Sequence, residues 1–150
     1  MKRFLALATL AACGVATLAV AHNVEDRATE YRQSLMHVVG WNFGTMSSMN
    51  KGKMPFDAAE FSKRADRVAF LSDQLLEGFQ KAPPAGVKTD AKPEIWTHFD
   101  DFTAKAKDFV TEAKALSDVA KAKDEAKDKE QFKKLAGACK ACHEKYQKDD

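Results

Sequence analysis

Residues 132–146 read FKKLAGACKACHEKY, and two patterns overlap in them. Phe132, Leu135, Cys139, Cys142 and Tyr146 step by three, four, three and four residues, the spacing of one helix face. Inside that face stands Cys139-Lys140-Ala141-Cys142-His143, two thiols followed at once by an imidazole. At about 100° per residue, Cys139, Cys142 and His143 leave a helix at about 0°, 300° and 40°, on the side that carries Leu135 and Tyr146. This is a c-type haem attachment string. The two thiols add to the two vinyl groups along one porphyrin edge, and the imidazole reaches the iron from below. The reading is one haem c per chain, bound covalently by Cys139 and Cys142, with His143 as axial ligand. A zinc site needs about four ligands, and His22, His37 and His98 are not paired at ligand spacing. A thioredoxin-like thiol pair follows a strand, whereas this pair lies deep in a late helix.

Working back toward the N-terminus, the rest of the chain is also helical in pattern. A first helix is predicted from about Val24 to Asn50, capped by Asn23, with Ala28, Tyr31, Leu35, Val38, Val39, Asn42, Met46 and Met49 on its buried stripe. Gly52 and Pro55 end it. Asp57 and Glu60 form the start of a second helix, in which Phe61, Ala65, Val68, Ser72, Leu75 and Phe79 recur at helical spacing up to the prolines of KAPPAG. Pro93 suits the first turn of a third, carrying Ile95, Phe99, Phe102, Ala106, Phe109, Ala113, Leu116 and Ala120. A short break near 121–124 separates it from the fourth. Four long amphipathic helices with seams near a 3.5-residue period predict an all-α, antiparallel four-helix bundle.

Residues 1–21 are of another kind. Lys2 and Arg3 precede an apolar run, and Ala19-Val20-Ala21 is a small-x-small cleavage site, the layout of a secretory signal peptide. Thr9, Gly14 and Thr17 interrupt the run, which argues against a membrane anchor. Leu10-Ala11-Ala12-Cys13 resembles a lipoprotein box, but cleavage there leaves apolar residues 15–21 on the mature chain, so cleavage after Ala21 is preferred. The expectation is an exported, periplasmic protein whose domain spans 22–150. The full chain has 24 Lys and Arg against 22 Asp and Glu. Lys2 and Arg3 leave with the signal peptide, so the mature domain carries no formal net charge, and nothing points to nucleic acid or an anionic membrane. Cys13 leaves as well, and Cys139 and Cys142 give no disulfide framework.

The haem iron has a second axial position. Only seven residues follow His143, so whatever faces that position comes from an upstream helix. The order also differs from small cytochromes in which the attachment motif precedes a downstream methionine. Over essentially the whole mature chain the sequence resembles the cytochrome c′ family. The resemblance rests on YRQSLMHVVGWNFGTM (31–46), KGKMPFDAAEF (51–61), AKPEIW (91–96) and GACKACHEKY (137–146). It implies a four-helix bundle, usually a homodimer, with a five-coordinate haem. By the same resemblance Arg32 lies near a haem propionate, and Met36 faces the open side of the iron, where relatives usually carry Leu or Phe. Val39 lies one turn beyond, and Leu76 and Phe79 match distal-wall positions of the second helix. Arg or Lys is common four residues after the haem histidine; here that residue is Gln147.

Two functions follow from the two roles open to Met36. If it only crowds the iron, an apolar distal wall favours NO and CO, which need no hydrogen bond, over polar bound O₂. If its thioether ligates the iron, as in a low-spin branch of the family, the protein is a six-coordinate electron carrier with His143/Met36 ligation and an unidentified redox partner. No acid–base pair or nucleophile stands near the motif, so no enzyme is predicted. His37, about 100° around the helix from Met36, is expected to face elsewhere. Trp41, Trp96, Met46 and Met49 are read as packing residues.

Overall fold

Two aspartates cap helix starts in the folded chain. Asp57 adopts an extended backbone, and its side chain accepts hydrogen bonds from the amides of Ala59 (2.9 Å) and Glu60 (3.0 Å). Asp124 does the same for Ala126 (3.1 Å) and Lys127 (3.2 Å). Each satisfies donors that a helix start otherwise leaves unpaired. Between the last two helices Lys123 takes a left-handed conformation (φ 55°), so the break near 121–124 is a tight turn.

The computed structural model describes residues 15–149, with side chains from Arg27 onward. Its elements are α1 (Val15–Asn50), α2 (Ala58–Ser72), a 3-10 turn (Leu75–Phe79), α3 (Glu94–Thr97), α4 (Phe99–Ala120) and α5 (Glu125–Tyr146). The α1, α2, α4 and α5 helices form the bundle. In it α2 packs on α1 and α4, and α4 packs on α5. The stripes predicted for α2 and α4 are buried: Phe61, Ala65, Val68, Phe102, Ala106, Ala113, Leu116 and Ala120 all fall in one core with Leu135 and Tyr146 of α5. Each large side chain fully removed from water there contributes roughly 1.5–3 kcal/mol.

Four expectations change. Residues 1–14 of the predicted signal peptide lie outside the described residues, while 15–21 form the start of α1. Asn23 is therefore inside the helix and caps nothing, because the Ala-rich stretch before it has no Gly or Pro to stop the ladder in the uncut chain. The second helix does not run to the prolines: it stops at Ser72 and resumes as a three-residue-per-turn helix at Leu75. The third is broken at His98 (φ −127°, ψ 45°), which leaves the one-turn α3 ahead of α4. Val38, placed on the buried stripe of α1, is 48% exposed. It sits on the flank, because Leu35, Val39, Asn42 and Met46 already complete the buried face.

Candidate haem site

A cavity of about 520 Å³ opens among α1, α4 and α5. Small residues make room for it: Gly40 on α1, Ala106 on α4 and Ala136 on α5 line its walls. On one side stand Arg32, Met36, Val39 and Phe43 of α1, and on the other Cys139, Cys142 and His143 of α5. Spacing on two separate helices thus becomes one enclosure in space.

The attachment string sits as the helical wheel requires. Both cysteines are half-buried free thiols. Burial, with a smaller contribution from neighbouring Cys142, pushes the Cys139 thiol up to about 11. Burial also raises the Cys142 thiol and holds the His143 imidazole below its ordinary value. A neutral imidazole is the form that ligates a metal.

Arg32 is the charged member of the opposite wall. It is only 4% exposed, and among the described residues no carboxylate pairs with it. Its Nη1 donates to the Gly78 carbonyl (2.6 Å) and its Nη2 to Thr29 Oγ1 (2.7 Å). Burial lowers its pKa. A buried cation beside a cavity favours an anion in that cavity. Two thiols and an imidazole on one wall, an apolar interior and a buried guanidinium on the other fit a haem with its carboxylate substituents. Cys139 and Cys142 would hold the porphyrin and His143 would supply a nitrogen ligand to the iron, while Arg32 lies within the same enclosure.

The C-terminal turn closes one edge. Tyr146 is buried, with its hydroxyl donating to Asp101 Oδ2 (2.6 Å) and its ring edge-on to Phe102 (5.3 Å, 89°). The amide of Lys92 donates to the Tyr146 carbonyl (2.9 Å), and that of Lys148 to the Asp90 carbonyl (2.7 Å). Thr89, Asp90 and Ala91 are thereby strapped across the cavity beside His143. Gln147 also lines it, and its amide caps α5 on the His143 carbonyl (2.9 Å).

Of the residues singled out in the sequence, Arg32, Met36, Val39, Phe79, Cys139, Cys142 and His143 line this one cavity. Leu76 does not; it is half-buried against the core, and Leu75 takes the place in the wall. The Leu76 assignment rests on resemblance alone, whereas the helical stripe that carries Leu75 and Phe79 is the face that reaches the cavity. His37, expected to face elsewhere, stands at the exposed edge of the cavity with Gln33. The cleft is wide enough to touch both flanks of α1. Phe43, Phe109, Ile95 and Lys105 also line it; Phe43 and Ile95 lie within the quoted motifs, but none of the four is singled out in the sequence as a site residue.

This fold and site define a class: monohaem c-type cytochromes that carry the haem on the last helix of a four-helix bundle. The chain belongs to the cytochrome c′ family, whose profile, described as Cytochrome C', matches residues 27–147. It is 35% identical over 119 residues to a cytochrome c' of Rubrivivax gelatinosus, covering 79% of this chain and 92% of the relative. It superposes on the structure of cytochrome c prime from Shewanella frigidimarina with a TM-score of 0.79 at 43% identity, covering 83% of this chain and 97% of that one. A nitric oxide complex of a mutant cytochrome c prime from Alcaligenes xylosoxidans superposes with a TM-score of 0.75 at 32% identity, covering 84% and 97%. The cofactor is a haem c attached through cysteine.

Proposed function

We propose that the protein is an exported, periplasmic cytochrome whose five-coordinate haem binds NO and CO on the Met36 side and exchanges one electron with a redox partner. The observation that carries this reading is the composition of the wall opposite His143. Met36, Val39, Leu75 and Phe79 are apolar, Arg32 is tied to Gly78 and Thr29, and His37 and Gln33 sit at the exposed edge. Such a wall offers little stabilisation to polar bound O₂ and excludes little that is small and weakly polar. The nitric oxide complex of the Alcaligenes relative supports the same choice. The role is binding and redox exchange, with no catalytic constellation.

The visible spectrum of the reduced protein, with and without CO, tests it. A broad high-spin spectrum that sharpens on adding CO is expected. Sharp, split low-spin bands indifferent to CO sink the gas-binding reading. They favour the second reading, a His143/Met36 electron carrier, which draws support from Met36 lining the same cavity as His143. Met36→Ala then distinguishes them again, changing a low-spin spectrum greatly and a high-spin one little.

The processing and assembly proposed with this function have separate supports. Export follows from the basic start, apolar run and Ala19–Ala21 cleavage site, with 22–150 as the mature domain. Among the described residues no helix is long and apolar enough to cross a membrane. Homodimerisation is supported by the outer face of α1 and α2. Val38 and Phe70 (71% exposed) line a groove with Asp66 and Arg67, and Trp41 (72% exposed) follows Val38 by one turn of α1. A two-fold apposition of this face would cover the exposed aromatics. Sedimentation of the wild type as a dimer and of Trp41→Glu/Phe70→Glu as a monomer is expected; a monomeric wild type ends the dimer proposal.

A further inference from the structure

We infer that Trp96 is a positioning residue: with Phe79 and Gly78 it forms an aromatic socket that aims the Arg32 guanidinium at a haem carboxylate. The inference rests on the reading of Arg32 as the propionate partner.

The socket is built from three parts of the chain. The guanidinium carbon of Arg32 lies 5.3 Å from the centroid of Phe79 and 5.6 Å from that of Trp96, within reach of cation–π attraction to both. The two rings are themselves 6.3 Å apart and inclined by 31°. The indole is fixed in turn, because Trp96 Nε1 donates to the Phe79 carbonyl (3.0 Å). Gly78 completes it from below by accepting from Arg32 Nη1 (2.6 Å), while Thr29 accepts from Nη2 (2.7 Å).

Two features argue that this geometry is specific. A Cβ on Gly78 stands 2.6 Å from Arg32 Cγ and 3.0 Å from Tyr31 Cδ1, so only glycine lets the 3-10 turn approach α1 this closely. The hydrogen bonds to Gly78 and Thr29 use two of the five N–H groups of Arg32. The aromatic faces hold the cation without neutralising it, so among the described residues its remaining N–H groups and its charge are left beside the cavity. Trp96 therefore acts through Arg32.

A carboxylate held by a fixed cation ionises at lower pH than one beside a mobile cation. The experiment follows the midpoint potential of the haem-loaded protein from about pH 4 to 9 in wild type, Trp96→Leu, Trp96→Phe, Gly78→Ala and Arg32→Lys. The expected result is an acid-side bend in the curve that moves up by about one pH unit, a tenfold weaker hold, in Trp96→Leu and Gly78→Ala. Trp96→Phe keeps an aromatic face and shifts less. Arg32→Lys, which keeps charge but loses the planar fork, marks how much of the bend depends on Arg32 itself. A Trp96→Leu curve superposed on wild type, with Arg32→Lys shifted, overturns the socket while leaving Arg32 as the partner. If Arg32→Lys and Trp96→Leu both superpose on wild type, the propionate reading falls and the socket with it. A lowered melting temperature without a shifted bend counts as packing and overturns the inference.

Discussion

The two ends of the bundle use the same pair of helices in opposite ways. At one end Phe43 of α1 stacks on Phe132 of α5 (4.6 Å between centroids), Phe61 packs edge-on to Phe132 (6.0 Å) and Phe56 lies 5.1 Å from Phe61. Met46 and Met49 are buried there as well. At the other end α1 and α5 face each other across the cavity, with Gly40 and Ala136 on its walls. Rings fill the gap at the closed end, and small residues preserve it at the open end. The bundle is thus a scaffold whose own side chains complete one half, while the porphyrin completes the other.

Several changes test that division, beginning with the largest. Cys139→Ser/Cys142→Ser removes covalent attachment. The apo protein is expected to lose near-UV circular dichroism and fast hydrogen exchange is expected in residues 136–146, while the amides around Phe61 and Leu116 stay the slowest to exchange. Uniform exchange along α5 breaks the comparison. Phe132→Ala attacks the other end, removing the ring on which both Phe43 and Phe61 pack. A loss of about 3–5 kcal/mol in chemical denaturation is expected, with the visible spectrum of the surviving folded protein retained.

Asp57→Ala removes the cap that begins α2 at the closed end and is expected to cost about 1 kcal/mol. Thermal melting checks it, and an unchanged midpoint rejects the cap as a contributor. Asp128→Asn has the smallest expected effect and the opposite sign. Asp128 is fully buried, and neither of its carboxylate oxygens has a partner. Burial and then the charge of Asp124 raise its pKa. Folding therefore favours the protonated acid, so its contribution is best below the unfolded value of about 4 and is lost as pH rises through the raised folded value. Denaturation should find the variant equal to wild type near pH 3 and more stable by about 1 kcal/mol near pH 7. Equal stability at both pH values removes Asp128 from the account of the closed end.

Much of this was legible along the chain because it depends on local spacing. The buried stripes of α2 and α4, the cap at Asp57, the break after Ala120 and the common face of Cys139, Cys142 and His143 all follow from helical period and hydrogen-bond chemistry. Leu76, His37 and Val38 were not legible. Their placement depends on where a helix changes pitch and on how wide a cleft its neighbours leave, which are properties of several elements at once. The break at His98 escaped for a similar reason: the apolar pattern runs straight through it.

The sequence by itself determined that helices would form, which faces they would bury and where a haem would be attached, because each depends on residues within a turn or two of one another. Only the tertiary structure decided what surrounds the attachment string. Arg32 beneath the rings of Phe79 and Trp96, Gly78 against α1, the 89–91 strap beside His143 and the choice of Leu75 over Leu76 join segments tens of residues apart. Their geometry is set by how closely neighbouring backbones pack, and no periodicity within a single helix encodes that distance.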